Sequence, residues 1–223
     1  MKIQFIAQSG FIITTDQGDV LIIDPWLDNP KFPVTTEDIP KVDFVFITHD
    51  HKDHGLDTGI ELAIRDHATF VSGYDIVRHA QEKGVQSVES ANIGGPFTSG
   101  NLSIVLIHAE HSSDIGVPVG FVIKTDDLTL YHMGDTGYFA HLDTIGVLYD
   151  IDVLMVPIGS RYTMGPAEAQ LAIEDIGPEI VIPMHYNTFD KIAQNGEEFK
   201  NDVERRFAGI EVKLLQPGEQ ISI

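Results

Sequence analysis

Three histidines and an aspartate lie within six residues of this chain, immediately after an apolar run. The run, Val42–Thr48, is rich in Val, Ile and Phe, which predicts a buried strand. His49 and His51 are two residues apart, so their side chains can project the same way and bind one ion together. A turn after them can direct Asp53 and His54 towards a neighbouring ion. Imidazole and carboxylate donors suit Zn²⁺, Mn²⁺ or Fe²⁺.

This segment alone has too few donors for two ions, and three later residues can supply the rest. His111, Asp135 and His185 each come shortly after a predicted strand. Ligand sites in α/β folds commonly lie at the carboxyl ends of strands, so we expect these side chains to reach one site. The chain has no cysteine, so a metal must be held by His, Asp or Glu.

The remaining pattern predicts a strand-rich start followed by alternating strands and helices, which favours sheets covered by helices. With 223 residues, we expect one domain over residues 1–223. The predicted strands are Lys2–Ala7, Phe11–Thr15, Asp19–Ile23, Val42–Thr48, Thr69–Ser72, Leu102–His108, Phe121–Thr125, Leu128–Tyr131, Val153–Ile158, Ile180–Met184, Val212–Leu215 and Gln220–Ile223. Asp126-Asp127 is predicted to join two of them in a hairpin. The predicted helices are Leu56–Asp66, Tyr74–Lys83, Phe139–Tyr149, Pro166–Ile176 and Glu197–Phe207.

The charge balance restricts the partners that the chain can bind. There are 34 acidic and 14 basic residues, a net charge of −20. Such a field repels nucleic acid and anionic membrane surfaces, although metal ions would still allow a small anionic substrate. The sequence has no membrane-spanning apolar run and no signal peptide at Met1, so we expect a cytoplasmic protein with a small-molecule substrate. A homo-oligomer is compatible with this pattern.

The motif order is similar to that of the metallo-β-lactamase-fold superfamily: His-x-His-x-Asp-His, then a distant His, an Asp and a His. Further segments resemble one branch, the small metal-dependent hydrolases related to ascorbate-6-phosphate lactonase. The resemblance covers nearly the whole chain. The segments that carry the branch resemblance are His111-Ser112-Ser113, Gly134-Asp135-Thr136-Gly137, Pro157-Ile158-Gly159, Tyr162-Thr163-Met164-Gly165-Pro166 and His185-Tyr186.

The resemblance implies an α/β (α+β) fold, a four-layer αββα sandwich, with two divalent ions in each chain. One ion would be held by His49, His51 and His111. The other would be held by Asp53, His54 and His185, and Asp135 would bridge the two. Asp24, at a strand end, resembles the superfamily aspartate that orients a metal ligand; a plain strand-ending turn is the alternative.

Two such ions can share a water and lower its pKa towards 7, so that a bridging hydroxide attacks a carbonyl or phosphoryl centre. Asp53 and Asp135 are the predicted catalytic carboxylates, and Asp53 is the candidate for orienting the water and relaying its proton. Arg161 and Tyr162, before a predicted helix, and Asn187, after His185, are candidates for contacting the substrate. A helix N-terminus with an arginine can hold an anion; a surface loop is the alternative.

The predicted function is hydrolysis of a small lactone or a related ester or amide. A phosphodiesterase or nuclease of the same fold is the main alternative, and the acidic charge disfavours it. An iron-dependent oxidoreductase and a non-catalytic metal-binding module are the other classes. Of the remaining histidines, His108 and His132 are expected in the core or behind the ligands, while His67, His79 and His141 fall at helices.

Overall fold

The computed structural model describes residues 1–126 and 128–223, and the chain forms two compact units. The first unit comprises Met1–Gly95, Ser112–Val119 and Leu215–Ile223. The second comprises Pro96–His111 and Gly120–Leu214. Among the described residues, each unit has one seven-stranded sheet and its own hydrophobic core. The prediction of a single domain stays a prediction.

The first unit contains an antiparallel meander that continues into parallel strands. Its sheet order is β14-β1-β2-β3-β4-β5-β6, antiparallel from β14 to β3 and parallel from β3 to β6. The parallel strands bring their carboxyl ends to one edge of this sheet. The strands are β1 Lys2–Ala7, β2 Gly10–Thr14, β3 Val20–Ile23, β4 Phe44–Phe46, β5 Thr69–Gly73, β6 Val88–Ala91 and β14 Gln220–Ser222.

Two helices cover the sheet of the first unit, α1 (Leu56–Asp66) and α2 (Tyr74–Glu82). Their buried apolar residues join Val45 and other strand residues in one core cluster. Gly59 lets α1 approach the sheet closely, since a Cβ there would lie 2.8 Å from Ile47 Cδ1. Packing of this kind fixes the start of α1 relative to the loop that precedes it.

The second unit has the sheet order β13-β12-β11-β10-β9-β8-β7. β9 and β10 form an antiparallel hairpin, and β10, β11, β12 and β13 are parallel. The loops after β10, β11 and β12 therefore leave the same edge of this sheet. The strands are β7 Phe97–Ser99, β8 Leu102–His108, β9 Val119–Lys124, β10 Thr129–His132, β11 Val153–Pro157, β12 Ile180–Met184 and β13 Glu211–Val212.

Three helices belong to the second unit, α3 (Leu142–Tyr149), α4 (Pro166–Ile176) and α5 (Gly196–Arg206). α4 buries Ala169, Ala172, Ile173 and Ile176, the predicted i, i+3, i+4, i+7 face. A Cβ at Gly146 of α3 would lie 2.4 Å from the Ile176 carbonyl oxygen, so a glycine is required where α3 meets α4.

The predicted elements are largely present, with definite exceptions. β6 and β7 were not predicted, because both are short and only partly buried. The predicted strand Val42–Thr48 is a strand only over Phe44–Phe46. The predicted helix Phe139–Tyr149 begins three residues late, since His141 has a left-handed φ of 75°. Asp127, predicted in the hairpin turn, lies outside the described residues.

The prediction of a mixed α/β fold with sheets and helices is confirmed. In the part of the chain that the structure describes, no helix is both long enough and apolar enough to cross a membrane.

Candidate metal centre

The first unit carries four of the predicted donors on one short loop after β4. β4 is parallel to β3, so this loop starts at the edge where Asp24 follows β3. The loop turns through a 3-10 helix, Lys52–His54, and enters α1 at Gly55, whose φ is 66°. A Cβ at Gly55 would lie 2.3 Å from the Pro25 carbonyl oxygen. Only glycine allows the loop to pack this closely against the chain after β3.

Three imidazoles of this loop lie against one another. His49 Nε2 is 2.9 Å from His51 Nδ1, and the rings of His49 and His54 are 4.0 Å apart between centroids. His49 and His54 are fully buried. Ring nitrogens brought this close together, away from solvent, form a cluster of donors of the type that divalent transition metals prefer.

Asp24 orients this cluster from the end of β3. Its Oδ1 accepts a hydrogen bond from the Thr48 N–H at 2.9 Å, and its Oδ2 accepts one from Thr48 Oγ1 at 2.7 Å. His54 Nδ1 lies 2.7 Å from the same Oδ2. An ionised carboxylate only accepts hydrogen bonds, so an ionised Asp24 would place the His54 proton on Nδ1 and leave Nε2 for a metal. Asp24 therefore does more than end a strand: it contacts a candidate ligand and its neighbour Thr48.

Thr48 extends the same arrangement to the next histidine. Its Oγ1 lies 3.0 Å from His49 Nδ1 and 3.2 Å from His54 Nδ1. Because that hydroxyl donates to Asp24, it accepts from the imidazoles. His49 would then bind a metal through Nε2, the nitrogen close to His51.

Two further residues support the loop and were not predicted from the sequence. Gln8 Nε2 donates to Asp53 Oδ2 at 2.8 Å. Asp50 Oδ1 accepts hydrogen bonds from Ser113 Oγ at 2.7 Å and from the Asp114 N–H at 3.0 Å. Both contacts span 45 residues or more of sequence, and no local pattern marks either of them.

The second unit brings together the other three predicted donors. Asp135 Oδ2 lies 2.9 Å from His185 Nε2 and 3.5 Å from His111 Nε2. Asp135 and His185 are 3% exposed, and His111 is 10% exposed at its side chain. Each residue comes from a different strand connection, and both imidazoles present Nε2 to the same carboxylate. The cluster therefore offers two nitrogen donors and one carboxylate.

Backbone constraints hold His185 in place. It follows β12 with a left-handed φ of 55°. A Cβ at Gly159, after β11, would lie 2.1 Å from the His185 carbonyl oxygen, so glycine is required at this close approach. Burial, followed by the charge of Glu197, raises the pKa of the neighbouring Tyr186. This tyrosine is therefore neutral at physiological pH and packs as an uncharged ring.

Thr136 anchors two segments beside Asp135. Its Oγ1 accepts a hydrogen bond from the Glu110 N–H at 2.9 Å, next to His111, and donates one to the Gly137 carbonyl at 2.7 Å. Its carbonyl accepts the Met164 N–H at 2.8 Å. A single residue thus connects the segment of His111, the strand end of Asp135 and the loop after β11.

The predicted substrate residues lie on surface loops of the second unit. Arg161 and Tyr162 are exposed, and the Arg161 guanidinium lies 5.4 Å from the centre of the Tyr162 ring. The N-terminus of α4 is already engaged, because the Gly165 N–H donates to Glu168 Oε2 at 3.1 Å. This carboxylate competes with an anionic ligand. Asn187 uses its Oδ1 to accept the Gln194 N–H at 2.8 Å, which closes its own loop.

The structure also places the five histidines that were not predicted as ligands. His132 is buried, and its Nδ1 accepts the Gly134 N–H at 3.2 Å. His108 was expected in the core or behind the ligands, and this is wrong: its side chain is 48% exposed and lies 3.2 Å from Glu110. It is the last residue of β8 and is exposed at the strand end. Helices or their ends carry the other three histidines, His67, His79 and His141.

The donor chemistry fits a divalent metal. All seven predicted ligands belong to groups of His and Asp side chains that could hold a metal ion: His49, His51, Asp53, His54, His111, Asp135 and His185. Five imidazoles and two carboxylates form a nitrogen-rich set, which suits transition metals better than Ca²⁺ or Mg²⁺.

Comparison with known proteins agrees with this donor set. Residues 2–185 match the family described as Beta-lactamase superfamily domain. A UPF0173 metal-dependent hydrolase of Caldivirga maquilingensis is 43% identical over 208 residues, which cover 92% of this chain and 91% of that protein. A UPF0173 metal-dependent hydrolase of Korarchaeum cryptofilum is 42% identical over 224 residues, with 100% of both chains covered.

A solved structure shows the same fold. Igni18, described as a novel metallo hydrolase from the hyperthermophilic archaeon Ignicoccus hospitalis, matches with a TM-score of 0.92 and 41% identity. The match covers 99% of this chain and 97% of that one. Sequence, fold and donor residues thus agree, and the chain belongs to the metallo-beta-lactamase superfamily and, within it, to the UPF0173 family of metal-dependent hydrolases.

Proposed function

We propose that this chain binds two divalent metal ions and hydrolyses a small lactone or a related ester or amide. The observation that carries the proposal is the buried imidazole cluster after β4, with His49 Nε2 and His51 Nδ1 2.9 Å apart and His54 oriented by Asp24. A purely structural polar loop has no need of three adjacent imidazoles, one of which is held by a buried carboxylate.

The proposed ligand assignment uses all seven candidate donors. His49, His51 and His111 hold one ion, and Asp53, His54 and His185 hold the other. Asp135 would supply a carboxylate to both ions, which agrees with the way its Oδ2 faces two imidazoles. Zn²⁺ and Mn²⁺ are the metals that we favour, with Fe²⁺ as a third candidate, because the donors are imidazoles and carboxylates without thiolates.

Bound divalent ions would lower the pKa of a water and polarise the substrate carbonyl. The chain itself supplies the positioning. Asp24 and Thr48 hold His54 and His49 in one tautomer, and Gly55 keeps the loop against β3. Asp53 and Asp135 are the proposed catalytic carboxylates: Asp53 would orient the attacking water and relay its proton.

The substrate class is inferred from charge and from the resemblance to small lactone hydrolases. A net charge of −20 opposes a polyanion such as RNA, so the phosphodiesterase alternative is disfavoured. The Glu168 carboxylate at the N-terminus of α4 removes one predicted anion site, which favours a neutral substrate or one with a single negative charge. Arg161 and Tyr162 remain the residues proposed to contact it.

The test measures metal content and turnover on the same preparation. Purified protein is analysed for bound metal, then assayed with a panel of γ- and δ-lactones and with bis-p-nitrophenyl phosphate. We expect two ions in each chain and turnover of lactones. Phosphodiester turnover without lactone turnover would overturn the substrate class, and one iron in each chain with oxygen uptake would favour the oxidoreductase. Lys52→Ala is the control, because this side chain is 85% exposed on the same loop.

A further inference from the structure

Gln8 occupies the tight turn between β1 and β2 and is a buried polar residue in an unfavourable backbone conformation. Its φ is 58°, in the left-handed region, and the residue is 1% exposed. A left-handed residue in a turn is ordinarily glycine, or asparagine whose short side chain tolerates it. The turn is also tightly packed, since a Cβ at Gly10 would lie 2.9 Å from the Asp24 carbonyl oxygen.

The amide of Gln8 satisfies only part of its own hydrogen-bonding capacity. Nε2 donates to Asp53 Oδ2 at 2.8 Å, whereas Oε1 accepts no hydrogen bond from the residues that the structure describes. Burying an amide oxygen without a donor lowers stability. A smaller residue would suit the turn better, and an apolar residue would suit the buried position better. The hydrogen bond to Asp53 is therefore the interaction that favours glutamine here.

That contact acts on the carboxylate of Asp53. The terminal torsion of an aspartate is broad, so its two oxygens exchange places easily. A directed N–H to one oxygen selects a single orientation and leaves the other oxygen facing elsewhere. Gln8 lies in the turn between β1 and β2 and not on the loop after β4, so it ties Asp53 to the antiparallel meander.

We propose that Gln8 is a positioning residue that fixes the Asp53 carboxylate for metal binding and hydrolysis. The inference rests on the proposed function, in which Asp53 is a ligand of the second ion and the proton acceptor. Gln8 itself touches neither the substrate nor the reacting water. Its effect is exerted wholly through the orientation of Asp53.

The test uses Gln8→Met, which keeps the length and removes the donor, and measures metal binding by the metal-free protein. Affinities for Zn²⁺ are obtained by competition with a chromophoric chelator, and Co²⁺ absorption spectra report ligand geometry. Changes in groups that orient a ligand typically cost about 10–100-fold in affinity. We expect the second Zn²⁺ to bind more weakly by that factor, the first to be unaffected, and the Co²⁺ spectrum of the second equivalent to shift.

Gln4→Met is the matched control, because Gln4 lies on β1, the strand before this turn, and its Nε2 donates to the Gly218 carbonyl at 3.1 Å. It should leave both affinities and the spectrum unchanged. Gln8→Asn is the second variant, in case Met disturbs folding. Asparagine suits the left-handed turn, but its side chain is one methylene too short to reach Asp53. The affinity for the second Zn²⁺ should therefore fall, while the melting temperature should stay the same or rise.

The outcomes separate the two proposals. A wild-type chain that binds fewer than two ions overturns the proposed function and this inference with it. A wild-type chain with two ions, together with Gln8→Met and Gln8→Asn proteins of unchanged affinity and spectrum, overturns the inference alone. A fall in melting temperature without any change in affinity would likewise show a merely structural residue.

Discussion

The two units present their donors in opposite ways. In the first unit, His49, His51, Asp53 and His54 are consecutive or nearly so, on a single loop after β4. In the second, His111, Asp135 and His185 follow three different strands. The contiguous set is held by side chains from outside the loop, whereas each member of the dispersed set is placed by the strand before it.

This difference has a physical consequence. The short loop with four ligands has a single 3-10 turn as its only regular structure, so Asp24 and Thr48 must supply further order. A residue at a strand end inherits its position from the sheet, as His185 does after β12. Damage to the contiguous set should therefore spread to its neighbours, while damage to the dispersed set should stay local.

The largest expected effect comes from removing one ligand in each unit. His54→Ala deletes a buried ring that packs 4.0 Å from the ring of His49, so we expect loss of both ions. His185→Ala should lose one ion and retain the other. Both should reduce hydrolysis by more than about 100-fold, since weaker changes behind a ligand already cost about 10–100-fold.

Metal content after dialysis, measured by mass spectrometry, distinguishes these cases, with circular dichroism as the control for folding. Equal metal loss in the two variants would contradict the idea that the contiguous set is cooperative. Unchanged content of two ions in either variant would refute that residue as a ligand.

A second test compares two glycines beside the donors. Gly55→Ala places a Cβ 2.3 Å from the Pro25 carbonyl oxygen at a φ of 66°. Strain near 1 kcal/mol for the left-handed residue and about 1–3 kcal/mol for overpacking predict a loss of roughly 2–4 kcal/mol in unfolding free energy. Gly137→Ala meets only Glu110 atoms at 3.8 Å, so its change should stay within about 0.5 kcal/mol.

Urea denaturation of the metal-free proteins measures both changes. A tolerated Gly55→Ala would mean that the chain after β3 can move away from the loop, and the loop would then be less constrained than the structure indicates.

A third test replaces one buried hydroxyl in each unit by a methyl group. Thr48→Val removes the hydrogen bond to Asp24, and Thr136→Val removes the acceptor of the Glu110 N–H. Each should cost about 1–3 kcal/mol of stability. Only Thr48→Val should also weaken metal binding, because its hydroxyl orients two imidazoles, whereas Thr136 acts on backbone groups. Similar metal affinities in the two variants would contradict the idea that Thr48 orients ligand side chains whereas Thr136 only supports the backbone.

The same contrast explains what could be predicted from the sequence. The motif His49–His54 can be recognised from the sequence because it is contiguous and follows an apolar strand. His111, Asp135 and His185 could be proposed from their positions after strands, and the structure places them in one cluster. For Asp24 the sequence left two interpretations open, a strand-ending turn and a residue that orients a ligand, and the structure adds its contacts with Thr48 and His54.

The contacts that the sequence did not predict are those between residues that only the folded chain brings together. Gln8 meets Asp53 across 45 residues, and Asp50 meets Ser113 across 63 residues. Residues so far apart in the sequence leave no periodic pattern from which the contact could be predicted. Likewise, Phe139 and Ala140 read as helix, but His141 takes a left-handed conformation that starts α3 after it. Long-range contacts and single unusual backbone torsions are set by packing, which local propensity does not record.

The smallest expected effect concerns acid sensitivity at one ion pair in each unit. Asp66 Oδ2 accepts the Val42 N–H at 2.8 Å, and its contact with Arg65 holds the pKa of this carboxyl below its usual range. A lowered folded-state pKa stabilises the protein above the unfolded value of 3.8, and that contribution is lost as the pH falls through the folded value. Asp66→Asn should lower the unfolding free energy by about 1 kcal/mol or less at neutral pH, and the difference from wild type should shrink below pH 4.

Asp202→Asn is the control in the second unit, since its pair with Arg205 is at the surface and should contribute little. Melting temperatures between pH 3 and pH 7 measure this, and a difference that grows as the pH falls would reverse the assigned sign.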